Sequence, residues 1–240
     1  MASNLQLNLQ TVQSLVEKLA GQTGRRVELL VVSKTQPAEV IRTAFAAGQR
    51  AFAESYVQEA LVKIPQLADL PIDWHFIGPI QSNKTRSIAE HFSWVHSVDR
   101  EKTARRLSAG RSGAAVPLNV CVQVNISAEE SKSGVAPLAA EALCHAVADL
   151  PNLRLRGLMT VGQAGLGQAA QRQQFVAMKG LFDRINASGL TMDTLSMGMS
   201  EDMRAAILQG ATMVRVGTAI FGTRAKALNH RDAEPLGRTT

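Results

Sequence analysis

The sequence has few cysteines, few aromatic residues and no long apolar run, and each shortage excludes a class of protein. Its two cysteines, Cys121 and Cys144, lie in a strand-like and a helix-like segment. They predict buried thiols in a reducing compartment rather than a disulfide framework. No stretch of about 18 apolar residues is present, so we expect no membrane span. Polar residues at positions 4, 6, 8 and 10 argue against a signal peptide. We therefore predict a cytoplasmic protein.

Nucleic-acid binding and metal binding also lack their usual signals. The formal charge is +6, but aromatic residues make up only 4% of the chain, and Arg25-Arg26 and Arg105-Arg106 are the only adjacent basic pairs. A clustered basic surface is typical of nucleic-acid-binding proteins, and this sequence does not predict one. The five histidines show no ligand spacing. We expect no nucleic-acid partner and no metal, and a mildly basic surface that suits anionic small molecules.

The sequence does contain an alternation of helix and strand patterns from end to end. An amphipathic helix over residues 8–20 is followed by Gly21 as its stop. Strand patterns follow at 27–34, 50–53, 72–78, 92–98, 117–126, 153–159, 194–197 and 213–217. This alternation predicts an α/β fold, a single (β/α)8 TIM barrel with an extra N-terminal helix over residues 1–225, and a flexible tail over 226–240. A doubly wound open sheet is the alternative, although no G-x-G-x-x-G follows the first strand.

Lys34 directly follows the first strand pattern, which has four consecutive apolar residues at 29–32. Such a run is typical of a strand buried on both faces. In a barrel, the carboxyl ends of the strands build the active site. Desolvation at such a place lowers the pKa of an ammonium group and leaves an amine that can form a Schiff base. A lysine that caps a carbonyl or reaches solvent is the alternative.

The last two strand ends hold a second group of candidate residues. The seventh strand runs into the loop SMGMS, whose Ser200 is predicted to cap the following helix, and helix starts bind phosphate. At the end of the eighth strand, Gly217 permits close approach of a ligand and Thr218 offers an amide and a hydroxyl. Barrels often bind phosphate after strands seven and eight. Arg215 lies within an apolar strand and needs a partner, either an acidic residue or a ligand atom.

A Schiff-base lysine facing a phosphate site is the combination that pyridoxal 5′-phosphate (PLP) requires. Class I aldolase chemistry on a sugar phosphate requires a similar pair and stays a rival. The chain also contains, in this order, LLVVSKTQP, AESYVQEA, WHFIGPIQSNK, VNISAEESKSG, RGLMTV and LSMGMSEDMRAAILQGATMVRVGTAIFG. Over residues 8–224 it closely resembles the pyridoxal phosphate homeostasis proteins, relatives of the amino-terminal barrel of alanine racemase.

The resemblance implies that Lys34 carries PLP as an aldimine, that Ser200, Gly217 and Thr218 hold the phosphate, and that Arg215 meets the pyridine nitrogen. It also implies a role in the homeostasis of vitamin B6 and amino acids.

Ser55 and Met159 complete the predicted cofactor-binding set. The family usually has glycine and asparagine on either side of the glutamate in AESYVQEA, whereas this chain has Ala53 and Ser55. A polar contact near the cofactor is expected to be shortened or lost there.

An arginine at the ring nitrogen favours a carrier over an enzyme. Arginine can only donate, so it favours the unprotonated nitrogen and a weaker electron sink. Two-base racemisation also needs a second acid/base, which in alanine racemase is a tyrosine from an additional domain. The only tyrosine here, Tyr56, is predicted to pack at a helix start. We predict a monomeric PLP carrier or regulator with little or no catalysis, whose recipients are PLP-dependent apo-enzymes. A weak PLP-dependent amino-acid racemase is the alternative.

Three further residues have two interpretations each. His75 alternates with Trp74 and Phe76 and is interpreted as a packed, hydrogen-bonded core histidine rather than a cofactor ligand. Lys84 and Lys132 lie in loops, where each is either a surface lysine or part of a second PLP site.

Overall fold

The computed structural model describes residues 3–127, 129, 132–163, 165 and 167–222. The strands in this part of the chain are β1 (Glu28–Val32), β2 (Ala51–Glu54), β3 (Asp73–Phe76), β4 (Trp94–Val98), β5 (Leu118–Gln123), β6 (Leu153–Met159), β7 (Thr194–Ser196) and β8 (Met213–Val216). The helices are α1 (Asn4–Thr23), α2 (Ala38–Ala46), α3 (Val57–Gln66), α4 (Thr85–His91), α5 (Glu101–Gly110), α6 (Ala140–Ala148), α7 (Gln168–Ala187), α8 (Met203–Leu208) and α9 (Thr218–Phe221).

The eight strands form one closed parallel barrel in the order of the sequence. Closure is made by β1 and β8, where Leu30 lies opposite Arg215. The predicted TIM barrel is therefore confirmed, and the open sheet is excluded because an open sheet has two unpaired edges. The predicted tail over 226–240 lies outside the described residues.

Alternate residues of each strand face the barrel interior and the surrounding helices. Leu30, Ala51, Ala53 and Met213 pack together inside the barrel. Outward-facing side chains such as Phe52 belong to the larger core between barrel and helices. Lys34 is the fourth residue after Leu30, so the alternation places it on the interior side at the carboxyl end of β1.

The first helix is longer than predicted. It begins after Ser3, whose side chain and that of Gln6 form a reciprocal capping box, and it ends at Gly24 with a φ of 63°. Gly21 lies inside the helix rather than stopping it, because the left-handed cap that glycine favours falls three residues later. The buried face of α1 packs against α8 and α9. None of the described helices is both long enough and apolar enough to cross a membrane.

Candidate functional site

An open cavity lies at the carboxyl ends of β1 and β8. Five predicted site residues line it: Lys34, Ser200, Arg215, Gly217 and Thr218. The other lining residues are Val32, Gln36, Ile77, Met199, Phe221 and Gly222. The structure thus brings together an amine, a guanidinium, two hydroxyls and a glycine that come from three separate segments of the chain.

Two other predicted residues lie apart from this cavity. Ser55 lines a neighbouring pocket together with Tyr56 and Lys84. Met159 is the last residue of β6 and is buried inside the barrel against Trp94 and Cys121. Their roles in cofactor binding stay predictions.

Lys132, one of the two lysines with an open interpretation, does not line the main cavity either. Its Nζ forms an ion pair with Glu129 at 2.9 Å and donates to the Gly162 carbonyl at 3.1 Å. Both partners are neighbouring loop groups, so the contacts of Lys132 tie two loops together. A second PLP site at Lys84 or Lys132 stays a prediction.

The backbone on both sides of Lys34 is held by side chains of α3. β1 ends at Val32, two residues earlier than predicted, yet the Ser33 N–H still donates to the Ala53 carbonyl at 2.9 Å. Lys63 Nζ donates to the Ser33 carbonyl at 3.0 Å. On the other side, the Thr35 N–H donates to Glu59. Thr35 itself has a φ of 68°, a left-handed conformation that β-branched residues rarely adopt.

These contacts belong to a buried ionic cluster outside the barrel wall. Lys63 Nζ donates to Glu54 Oε1 at 3.0 Å and also pairs with Glu59. The Ser33 hydroxyl donates to the same Glu54 oxygen at 2.7 Å. Glu54 is fully buried, and its Oε2 has no hydrogen-bond partner. Burial raises the pKa of Glu54 above its ordinary value, although the charge of Lys63 and the Ser33 hydroxyl act in the opposite direction.

Arg215 is the buried cation of the cavity. Its side chain is held at the head: Nη1 donates to the Ser196 carbonyl at 2.8 Å and to the Ser196 hydroxyl at 2.9 Å. Nη2 donates to the Thr160 carbonyl at 2.8 Å. Among the described residues no carboxylate forms an ion pair with it, so the salt-bridge alternative is not what the structure shows. Burial lowers the pKa of Arg215 to about 10, which leaves the guanidinium charged at neutral pH.

Ser200 does not cap the helix that the sequence predicts. α8 begins at Met203 with Asp202 as its N-cap, which makes no side-chain capping bond. The turn before the helix is closed by the backbone, where the Met203 N–H donates to the Met199 carbonyl at 2.8 Å, and the Asp202 carboxylate accepts from the Met199 N–H. The Ser200 hydroxyl instead accepts from the Ala219 N–H of α9 at 3.4 Å. Ser200 therefore lies between the loop after β7 and the short helix after β8.

The segment after β8 is helical, which the sequence left open. Gly217 is the N-cap of α9, and Thr218 is its first residue. A Cβ at Gly217 would lie 3.1 Å from the Val32 carbonyl oxygen. Glycine at this position is therefore explained by the close approach of β1.

The barrel fold, with its candidate site at the carboxyl ends of the strands, matches the barrel domain of alanine racemase. Residues 4–225 match the family model described as the N-terminal domain of alanine racemase. Alanine racemase from Clostridium difficile 630 has the same barrel, with a TM-score of 0.75 over 92% of this chain and 57% of that chain. Its identity is only 16%, so this likeness shows the fold alone.

Within that class, the chain belongs to the family of pyridoxal phosphate homeostasis proteins. It is 56% identical over 225 residues to the pyridoxal phosphate homeostasis protein of Pseudomonas aeruginosa, covering 92% of this chain and 96% of that relative. The Escherichia coli K12 protein of the same name is 49% identical over 227 residues, which covers 90% and 95%. PipY of Synechococcus elongatus PCC7942, solved with PLP bound, is 36% identical with a TM-score of 0.81 and covers 91% and 100%.

Proposed function

We propose that this protein is a cytoplasmic, monomeric PLP carrier or regulator, which binds PLP covalently through Lys34 and has little or no catalytic activity. Its role would be the homeostasis of PLP and amino acids, with PLP-dependent apo-enzymes as the recipients. The proposal depends on the observation that Lys34, Arg215 and residues of the loops after β7 and β8 line one and the same cavity. The names of the relatives and the bound PLP in PipY support it.

The groups that line the cavity match the chemical parts of PLP. When bound, PLP supplies an aldehyde that bonds to a primary amine and a ring that withdraws electrons. Lys34 provides the amine. The hydroxyls of Ser200 and Thr218, together with the N–H groups at the start of α9, are donors of the kind that phosphate accepts. Arg215 is the donor assigned to the ring nitrogen.

The composition of the cavity wall supports a role without turnover. The described lining residues include no histidine, tyrosine, cysteine or carboxylate, so none of them is a second acid/base of the usual kind. Tyr56 is 53% exposed and lines the neighbouring pocket. A donor-only guanidinium at the ring nitrogen weakens the electron sink as well.

The attachment is tested by trapping. We expect borohydride reduction of the PLP-loaded protein, followed by peptide mass mapping, to place the adduct on Lys34. Lys34→Ala should lose the adduct and remain folded, whereas Lys84→Ala and Lys132→Ala should keep it. An undiminished adduct in Lys34→Ala would contradict the assignment.

The carrier role is tested by turnover. Wild-type protein loaded with PLP should show negligible interconversion of alanine or serine enantiomers. Turnover that disappears in Lys34→Ala would instead favour the racemase. A protein that shows no visible PLP absorption band, yet forms a borohydride-trapped adduct with a sugar phosphate, would favour the aldolase.

A further inference from the structure

A continuous row of hydrogen bonds runs through the barrel interior, from the cavity to the opposite end of the barrel. It begins where Arg215 Nη1 donates to the Ser196 hydroxyl at 2.9 Å. Ser196 Oγ lies 3.0 Å from His96 Nδ1. His96 Nε2 lies 2.9 Å from His75 Nδ1, and His75 Nε2 lies 3.2 Å from Asp73 Oδ2. Five side chains from β3, β4, β7 and β8 thus connect a buried cation to a carboxylate.

With both histidines neutral and Asp73 ionised, the chemistry of the two ends gives every bond in the row one direction. A guanidinium can only donate, so Ser196 Oγ accepts from Arg215 and keeps its own proton to donate. In this direction His96 Nδ1 accepts that proton, which places the proton of a neutral His96 on Nε2.

The same reasoning then applies to the second histidine. His75 Nδ1 accepts from His96, and His75 Nε2–H donates to the Asp73 carboxylate, which can only accept when ionised. In this direction every proton in the row has an acceptor. The reverse direction would require a proton on Asp73 or a second proton on His75.

The row is buried along most of its length. Ser196, His75 and His96 are all 0% exposed, and the Trp94 ring stacks on His75 with ring centroids 5.2 Å apart. Burial, the largest cause, holds the pKa of His96 well below its ordinary value, so that His96 is neutral. The Asp73 end reaches the surface, with 41% of its side chain exposed.

We propose that His96 and His75 are positioning residues for Arg215, acting through the Ser196 hydroxyl. Without an acceptor for its own proton, the Ser196 hydroxyl could rotate, and the lone pair that accepts from Arg215 would not be fixed. The two histidines hold the hydroxyl in one rotation, because each ring accepts one hydrogen bond and donates the next. The positive charge of Arg215 and the negative charge of Asp73, at opposite ends, polarise all the bonds in the same direction. The guanidinium is thereby held in one orientation at the cavity. Its role toward PLP rests on the proposed function, whereas the direction of the row does not.

The first test needs no cofactor and no substitution. Nitrogen-15 NMR of the histidine rings in the PLP-free protein at neutral pH should show a proton on Nε2 and none on Nδ1, for both His75 and His96. A proton on Nδ1 of either ring would overturn the proposal, since the row would then run the other way or be broken.

The second test is a double-mutant cycle on PLP binding. Ser196→Ala and His96→Leu should each weaken PLP binding roughly fivefold, about the value of one hydrogen bond. They should also shift the absorption maximum of bound PLP in the same direction. The double variant should be no worse than either single variant, because both break one row.

Independent effects, multiplying to roughly twenty-five-fold, would overturn the proposal, as would unchanged binding in both single variants. His96→Gln, which retains one donor and one acceptor, should recover part of the loss. His91→Leu replaces an exposed histidine and serves as the control. Failure of the wild-type protein to bind PLP would sink the proposed function, and the NMR result would still decide the direction of the row.

Discussion

Lys34 and Arg215 line the same cavity, and different kinds of contact support the chain beside each of them. The backbone on both sides of Lys34 is held, since Lys63 binds the Ser33 carbonyl and Glu59 binds the Thr35 N–H. These supporting side chains are charged and lie outside the barrel wall. Arg215 is held at its guanidinium group, by two carbonyls and by the Ser196 hydroxyl of the hydrogen-bonded row inside the barrel.

The difference follows from what each residue is proposed to do. A lysine that forms a covalent bond needs a fixed attachment point, after which bond formation itself places the nitrogen. An arginine that only donates a hydrogen bond needs its head oriented in advance, because the bond is directional. The ionic cluster therefore supports the position of the backbone at Lys34, and the hydrogen-bonded row supports the orientation of the Arg215 guanidinium. Substitutions can test the two separately.

The largest effect is expected in the ionic cluster. Lys63→Met removes the cation and leaves Glu54, which is fully buried, without a counter-charge. Removing one partner of a buried pair destabilises a protein by about 3–5 kcal/mol. Chemical denaturation at neutral pH should show a loss of this size in the free energy of unfolding.

Lys179→Met is the matched control. Lys179 also pairs with a carboxylate four residues away, but that pair is exposed and should contribute only about 0–1 kcal/mol. Equal losses of unfolding free energy in the two variants would show that the buried cluster contributes no more to stability than an exposed ion pair. It would then not be the support of the Lys34 backbone.

An intermediate effect on the free energy of unfolding is expected when the pH is changed, and it comes from His96 in the hydrogen-bonded row. The pKa of His96 is depressed in the folded protein by burial, whereas in the unfolded chain it is about 6.5. Between these values the unfolded chain binds more protons, so the free energy of unfolding falls as the pH is lowered through about 6.5. The slope from His96 is at most about 1.4 kcal/mol per pH unit.

Denaturation curves at several pH values between about 7.5 and 5 measure this slope. It should be smaller in His96→Leu and unchanged in His91→Leu, where an exposed histidine is replaced. A His96→Leu curve parallel to that of the wild type would show that His96 is not the buried neutral histidine described above.

The barrel and the five cavity residues could be predicted because their signals are local. Alternating strand and helix patterns predict a parallel barrel, and a parallel barrel collects its strand ends at one face. The start of α8 was predicted wrongly, because serine is a favourable N-cap residue and the sequence does not show that its hydroxyl instead accepts from the Ala219 N–H of α9. The helix after β8 was too short to give a periodic pattern.

The row behind Arg215 could not be predicted. His96 and Ser196 are 100 residues apart in sequence, and their contact depends on how neighbouring strands are staggered around the barrel. The alternation of side chains along a strand places both residues in the barrel interior, but it does not give their positions along the barrel axis. The contact of Glu59 with Lys63 follows helical spacing, whereas that of Glu54 with Lys63 requires α3 to fold back on β2.

The smallest effect is expected at Thr35, and it separates backbone support from overall stability. A left-handed conformation disfavours a β-branched residue by about 1–2 kcal/mol, whereas glycine increases the freedom of the unfolded chain by about 0.4–1 kcal/mol. Thr35→Gly should therefore stabilise the protein by about 0.5–1 kcal/mol.

Asn152 is the matched control, with a φ of 63°. Asparagine tolerates this conformation, and its side chain donates to the Ser108 carbonyl at 3.2 Å, so Asn152→Gly should destabilise. Thr35→Gly should at the same time retain less PLP on Lys34 than the wild type, since a freer backbone gives a less well-placed amine. A more stable variant with undiminished PLP retention would show that the conformation at Thr35 does not help to place Lys34.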